Sequence, residues 1–191
     1  GLEAIAHALA NAPQPADAFG VASIDDAARL RASGIVARIV LLSGFDEVSD
    51  LLAIQELGLD CVIHHEDQIS ILERAPSVAS AKPIRAWLKL DSGMRRLGFF
   101  ADQFPAALAR LRALAVVDTE IILMTHFAQA DAVGPNESAC EHRAFLKTET
   151  QIRLFDQVVA TQCPSAIELI PRQSLANSGA ILCAPQSQRQ W

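Results

Sequence analysis

Tyrosine is missing from all 191 residues, and lysine occurs only as Lys82, Lys89 and Lys147. Chemistry that needs a phenol is excluded for this chain, and chemistry that needs an amine has three candidates. There is no basic excess either. The net charge is −6, which argues against a nucleic-acid or anionic-membrane surface, where clustered Lys and Arg supply most of the affinity. No apolar run reaches the roughly 18 residues a membrane span needs. The opening GLEAIAHALA lacks the basic start and long apolar stretch of a secretion signal. Cys61, Cys140, Cys163 and Cys183 show no CxxC spacing, so reduced thiols in a cytoplasm are expected. What remains is a small-molecule or protein partner.

With 51% hydrophobic and 20% charged residues, the chain has the composition of a globular domain. Its length allows one domain with a sizeable core but falls short of the roughly 250 residues of a complete (β/α)8 barrel. It opens without methionine and already in helical periodicity, with Leu2, Ile5, Ala6 and Leu9 on one face, so it is expected to begin inside a domain.

Short apolar strands then alternate with amphipathic helices, with no linker between them. AFGVAS from Ala18 reads as strand, IDDAARLRASGI as helix ending at Gly34, and ARIVLLSG as strand. FDEVSDLLAIQELG, EDQISILERA and ADQFPAALARLRAL follow as helices, and CVIHH, IRAWLKL and EIILMTHF as strands. A sixth strand is placed between Ile167 and Ala176, ending at SLAN. This alternation implies parallel pairing through crossovers, hence an α/β class. The first β-α turns carry neither GxGxxG nor GxxxxGK[ST], which weakens the nucleotide-binding open sheets. In IRAWLKLD, Ile84, Ala86, Leu88 and Leu90 alternate with Arg85, Trp87 and Lys89. A strand face of large polar groups suits a barrel interior near its C-terminal rim, where barrel enzymes keep their sites.

Four clusters fall at such strand ends: Leu42-Ser43-Gly44, the run from Lys89 to Gly98, Met124 to Phe127, and Leu175 to Gly179. Asn177-Ser178-Gly179 ends a strand and opens a short helix, so its amides and hydroxyl suit a phosphate; alone, such a triplet is more often a helix cap. Arg96 lies between Gly93 and Gly98 and could meet a carboxylate or phenolic oxygen, yet Arg95 adjoins it and only one of the two easily points inward. His126 could stack on a flat cofactor or be a satisfied core histidine. Lys89 is the one lysine expected to be buried, more simply as an ion-pair partner than as a Schiff-base amine. His64-His65-Glu66 suggests a metal only weakly, because neighbours on a strand face opposite ways; no metal site is expected. Cys140 and His142 sit in a polar stretch that reads as a solvated loop.

Taken in order, DDAARLRASGI, VLLSGF, HHEDQ, WLKLDSGMRRLGF, MTHFAQAD and SLANSGAIL resemble alanine racemase over nearly the whole chain. The resemblance implies an incomplete (β/α)8 TIM barrel holding strands two to seven. Residues 1–191 would be part of one N-terminal barrel domain, without the first and last strands and the C-terminal β domain. It implies pyridoxal 5'-phosphate as cofactor, alanine as substrate, a cytoplasmic homodimer, and interconversion of L- and D-alanine for cell-wall synthesis in the complete enzyme. By the same resemblance Arg96 matches the arginine at the cofactor's phenolic oxygen and the substrate carboxylate. Lys89 matches a lysine often carbamylated to position that arginine, His126 a histidine beside the pyridine ring, and Leu42 a side chain lining the cofactor. Asn177 and Ser178 match the phosphate corner.

The departures matter equally. The family's Schiff-base lysine, its tyrosine base and its phosphate-contacting tyrosines have no counterpart in this chain, so no catalytic base is expected in it. Two-base racemisation needs a base on each face of the α-carbon, and the segment alone is expected to be inactive. The alternatives are a non-catalytic truncated or degenerate barrel, or another pyridoxal-phosphate barrel of the same superfamily.

Overall fold

The structure is a computed structural model that describes residues 1–75, 82–131, 147–162 and 171–189. Strands β1 (Ala18–Val21), β2 (Arg38–Leu41), β3 (Asp60–Ile63), β4 (Ala86–Lys89), β5 (Ile122–Met124) and β6 (Gln173–Ser174) form one sheet in chain order. Between and around them run α1 (Leu2–Ala10), α2 (Ile24–Ala32), α3 (Val48–Leu57), α4 (Glu66–Arg74), α5 (Phe104–Arg112), α6 (Thr148–Gln162) and α7 (Ser178–Cys183). Neighbouring strands are parallel, with Ala18 beside Arg38, Val40 beside Asp60 and Leu123 beside Gln173. Consecutive parallel strands each need a crossover, and the order without reversals is that of a (β/α) barrel rather than a doubly wound sheet.

The chain divides into two compact units, Gly1–Trp87 with Leu111–Thr119, and Leu88–Arg110 with Glu120–Trp191. In the first, β2 and β3 are buried nearly end to end, and Ala27, Leu30, Ile54, Ile69 and Leu72 bring α2, α3 and α4 into the core. Local chemistry sets the helix limits. Ser23 Oγ accepts the Asp26 amide to start α2, and His65 with Gln68 forms a capping box at α4. Gly58, at φ 60°, ends α3 in the left-handed region that favours glycine.

At the N-terminal ends of these strands, Asp60 is buried and accepts the Trp87 indole N–H at 2.9 Å. Arg38 stands 3.5 Å and Arg85 3.8 Å from the same carboxylate. Burial outweighs these partners and holds the Asp60 carboxyl above its ordinary value.

In the second unit, Leu88, Leu90, Ile122, Leu123, Phe104, Leu108, Phe127 and Phe155 make the core. Helix α6 within it was not anticipated from sequence. The expected sixth strand is present at Gln173–Ser174, its second residue being the first of SLAN, while residues 167–170 of the expected segment lie outside the described residues. Strand β3 stops at Ile63, leaving His64 and His65 in the turn.

Helix α1 forms as its periodicity predicts, but Ile5 is 63% and Leu9 47% exposed: the pattern marks an apolar face without providing what covers it. The stretch with Cys140 and His142 lies outside the described residues, as does Cys163. Cys61 and Cys183 are free thiols. Among the described residues no helix is long and apolar enough to cross a membrane.

Candidate active site

In the second unit the chain leaves β4 at Lys89, loops out, and returns to it. Phe99 donates its amide to the Lys89 carbonyl at 2.9 Å, and Asp91 donates its own to the Phe99 carbonyl at 2.9 Å. Inside the loop the Asp91 carboxylate accepts the amides of Gly93 (2.9 Å) and Arg95 (3.0 Å). Gly93 (φ 145°), Arg95 (φ 59°) and Gly98 (φ 125°) all take positive φ, which a tight closed loop requires. The two adjoining arginines separate. The Arg95 guanidinium lies 5.1 Å over the Phe100 ring, while the charge of Arg96 acts on Lys89 and on His126.

Lys89 is 7% exposed, whereas Lys82 and Lys147 are exposed. Burial first, then Arg96, hold its amine below the ordinary lysine value, with Asp91 acting the other way. Among the described residues Lys89 forms no salt bridge; Asp91, whose Oδ1 accepts the Gly93 and Arg95 amides, acts on it as a nearby charge. His126, half-buried just past β5, is held below its ordinary value by burial, then by Lys89, then by Arg96. Three basic groups therefore share one end of the sheet, and Asp91, with one oxygen on backbone amides, is the one carboxylate acting on Lys89. This arrangement favours an anion.

At the end of β6, Asn177 caps α7: its Oδ1 accepts the Ala180 amide at 3.0 Å and its Nδ2 donates to the Phe127 carbonyl at 3.2 Å. The helix-cap reading thus holds for Asn177. It leaves the Ser178 and Gly179 amides without an acceptor among the described residues. Both line a cleft of about 300 Å³ together with Asn177 and Asp131, whose carboxylate opposes an anion there. A Cβ on Gly179 would meet the Asp131 amide nitrogen at 2.9 Å.

Leu42 belongs to the first unit, follows β2 directly, donates its amide to Val21 and is 45% exposed. His64 and His65 serve separate ends. The His64 Nε2 faces the Ser43 carbonyl at 2.7 Å, and His65 Nδ1 accepts the Asp67 amide as the α4 cap. Among the described residues no group of three His, Cys, Asp or Glu side chains could hold a metal ion.

Two residues of this region were given no role by the sequence: Asp91, within the run from Lys89 to Gly98, and Gln151. Asp91 carried a legible signal, an acid two residues before a glycine. Gln151 carried a subtler one, a polar residue in register with Phe155 and Val158 on the apolar stripe of α6.

A family model described as the alanine racemase N-terminal domain matches residues 1–191. The alanine racemase of Shewanella denitrificans is 41% identical over 191 residues, covering 100% of this chain and 47% of that protein. That of Shewanella loihica is 42% identical with the same coverage. Among solved structures, the biosynthetic alanine racemase from Pseudomonas aeruginosa aligns at a TM-score of 0.74 and 34% identity, over 100% of this chain and 47% of that one. The alanine racemase from Corynebacterium glutamicum aligns at 0.77 and 26%, over 99% and 49%. The chain spans about half the length of these relatives, and its six strands match an incomplete TIM barrel within them. With its whole length matched by that domain, this chain belongs to the alanine racemase family.

Proposed function

We propose that this chain is the cofactor-carrying part of a pyridoxal-phosphate-dependent enzyme that interconverts L- and D-alanine, acting as a cytoplasmic homodimer in its complete form. The observation that carries this reading is the Lys89, Arg96 and His126 cluster at one end of a parallel sheet, in a chain matched throughout by the racemase domain. Backbone at the start of α7 fits the cofactor at its phosphate end, although the Asp131 carboxylate in the same cleft works against it. The unclaimed amides of Ser178 and Gly179 can take phosphate oxygens, and Gly179 leaves room where a Cβ would strike backbone. Pyridoxal phosphate supplies an electron sink for charge developing at the α-carbon.

This chain's own residues do the rest. Arg96 would hold the substrate carboxylate or the phenolic oxygen, His126 would pack beside the ring, and Asn177 fixes the start of α7. Lys89, once carbamylated, would convert a repelled cation into an anion that orients Arg96. No tyrosine stands in the chain, and none of its three lysines matches the family's Schiff-base lysine, so these residues supply neither base that moves the α-proton.

A second reading, that these 191 residues alone catalyse nothing, rests on that missing base. Both are tested by assaying alanine racemisation and cofactor absorbance, on the full-length gene product and on residues 1–191. Turnover in the long form alone supports both readings. Turnover in neither form, despite bound cofactor, would overturn the racemase reading in favour of another barrel of the same superfamily.

A further inference from the structure

Helix α6 carries one polar side chain with no solvent access. Gln151 is 0% exposed, in register with the buried Phe155 and Val158. A buried amide is costly unless its hydrogen bonds are made, and here they are. Oε1 accepts the Ala128 amide at 3.0 Å, and Nε2 donates to the His126 carbonyl at 3.3 Å and to Ser92 Oγ at 3.3 Å. The acceptance from Ala128 fixes which end of the amide is oxygen, so both N–H groups are committed.

The network continues in one direction. Thr125 Oγ1 donates to the Leu90 carbonyl at 2.9 Å, so across the 2.7 Å contact Ser92 must be the donor to Thr125. Gln151 therefore feeds Ser92, Ser92 feeds Thr125, and Thr125 feeds the backbone at the end of β4. Ser92 opens the Arg96 loop and is 3% exposed; Thr125 precedes His126 and is 2% exposed. One side chain thus ties together the base of the Arg96 loop and the backbone on both sides of Phe127.

We propose that Gln151 is a positioning residue, which through Ser92, Thr125 and the backbone from His126 to Ala128 holds the His126 ring and the Arg96 loop in a single arrangement. This rests on the racemase reading for its kinetic consequence but not for its geometric one. A mere core role would lower stability without changing what surrounds His126.

The test uses the full-length protein with Gln151→Met, which keeps length and volume but no hydrogen bond, and Val158→Ala, which loosens the same helix without touching the network. Tm, kcat, KM and the His126 ring titration by ¹⁵N NMR are read in each. Gln151→Met is expected to lower kcat by on the order of 10- to 100-fold and to move the His126 pKa upward, as the ring leaves Lys89 and Arg96. Val158→Ala should lower Tm with the His126 titration unmoved.

If Gln151→Met does not fold, Ser92→Ala breaks the middle of the network and should shift the titration in the same direction. An unmoved His126 titration in the variant that folds would overturn the proposal. If the wild type proves not to racemise alanine, the function reading fails, while the titration still decides the positioning role.

Discussion

Phe99 returns to β4 by donating its amide to the carbonyl of Lys89, 2.9 Å away, so the Arg96 loop closes on the residue whose side chain shares its charge cluster. Gly98 makes this closure possible. A Cβ there would lie 2.7 Å from the Asp91 nitrogen and 3.0 Å from the Lys89 oxygen, at φ 125°. Gly98→Ala meets both the unfavourable backbone region and the collision. Gly34→Ala, at φ 91° with nothing within 4 Å, meets only the first.

Urea unfolding should show Gly34→Ala destabilised by about 1–2 kcal/mol and Gly98→Ala by roughly twice as much or more. Equal losses would show that the loop does not close as tightly as described.

The alternation of elements was readable because each strand is a short apolar run and each helix has a start signal, such as Ser23 before α2. The loop carrying Arg96 was readable from its glycines. Other features depended on packing. The Phe100 ring takes up Arg95 and leaves the Arg96 charge to act on Lys89 and His126, and the state of Lys89 follows first from its burial. Gln151 is one polar letter in an apolar stripe, and its partners lie 23 to 59 residues away, a distance that local periodicity does not span.

The start of α7 offers a check on the phosphate corner. A Cβ on Gly179 would meet backbone of Asp131 at 2.9 Å and of Ala130 at 3.1 Å, neither of which can rotate away. Gly179→Ala should displace the Ser178 and Gly179 amides. Retention of pyridoxal phosphate in equilibrium dialysis is expected to weaken by roughly tenfold, the loss of about one charge-assisted hydrogen bond. Unchanged retention would move the phosphate away from α7.

Asp60 gives a stability prediction with an unusual sign. Its folded pKa is raised, burial outweighing the Trp87 indole, Arg38 and Arg85. The native state therefore holds the Asp60 proton more tightly than the unfolded chain does. This contribution is fully present below the unfolded value, about 3.9, and is lost as pH rises through the folded value.

Asp60→Asn keeps an acceptor for the indole and should stay within about 1 kcal/mol of wild type at pH 7. Asp60→Leu orphans the Trp87 N–H and should cost roughly 1–3 kcal/mol. In urea titrations at pH 7 and pH 4.5, wild type should gain on Asp60→Asn at the lower pH; a loss there would reverse the assignment.

Lys89 and His126 respond to the same chemistry. The folded pKa of His126 is lowered by burial, Lys89 and Arg96, so its contribution to stability is present above the unfolded imidazole value of about 6.5 and is lost as pH falls through the folded one. Lys89→Met removes one of the repelling cations and should raise the His126 pKa toward that ordinary value. Carbamylation should raise it as well, because an amine held below its ordinary value is more available in neutral form to bicarbonate-derived carbon dioxide, and the product carries negative charge beside the ring.

With ¹³C-bicarbonate, the wild type should therefore show a carbamate resonance together with an upward shift of the His126 titration, and Lys89→Met should show neither response. A shift without a carbamate signal would mean that a bound anion, rather than a modified lysine, neutralises the cluster. With no response in either protein, Arg96 and Lys89 would face each other as uncompensated cations, and the carbamylation proposal would be withdrawn.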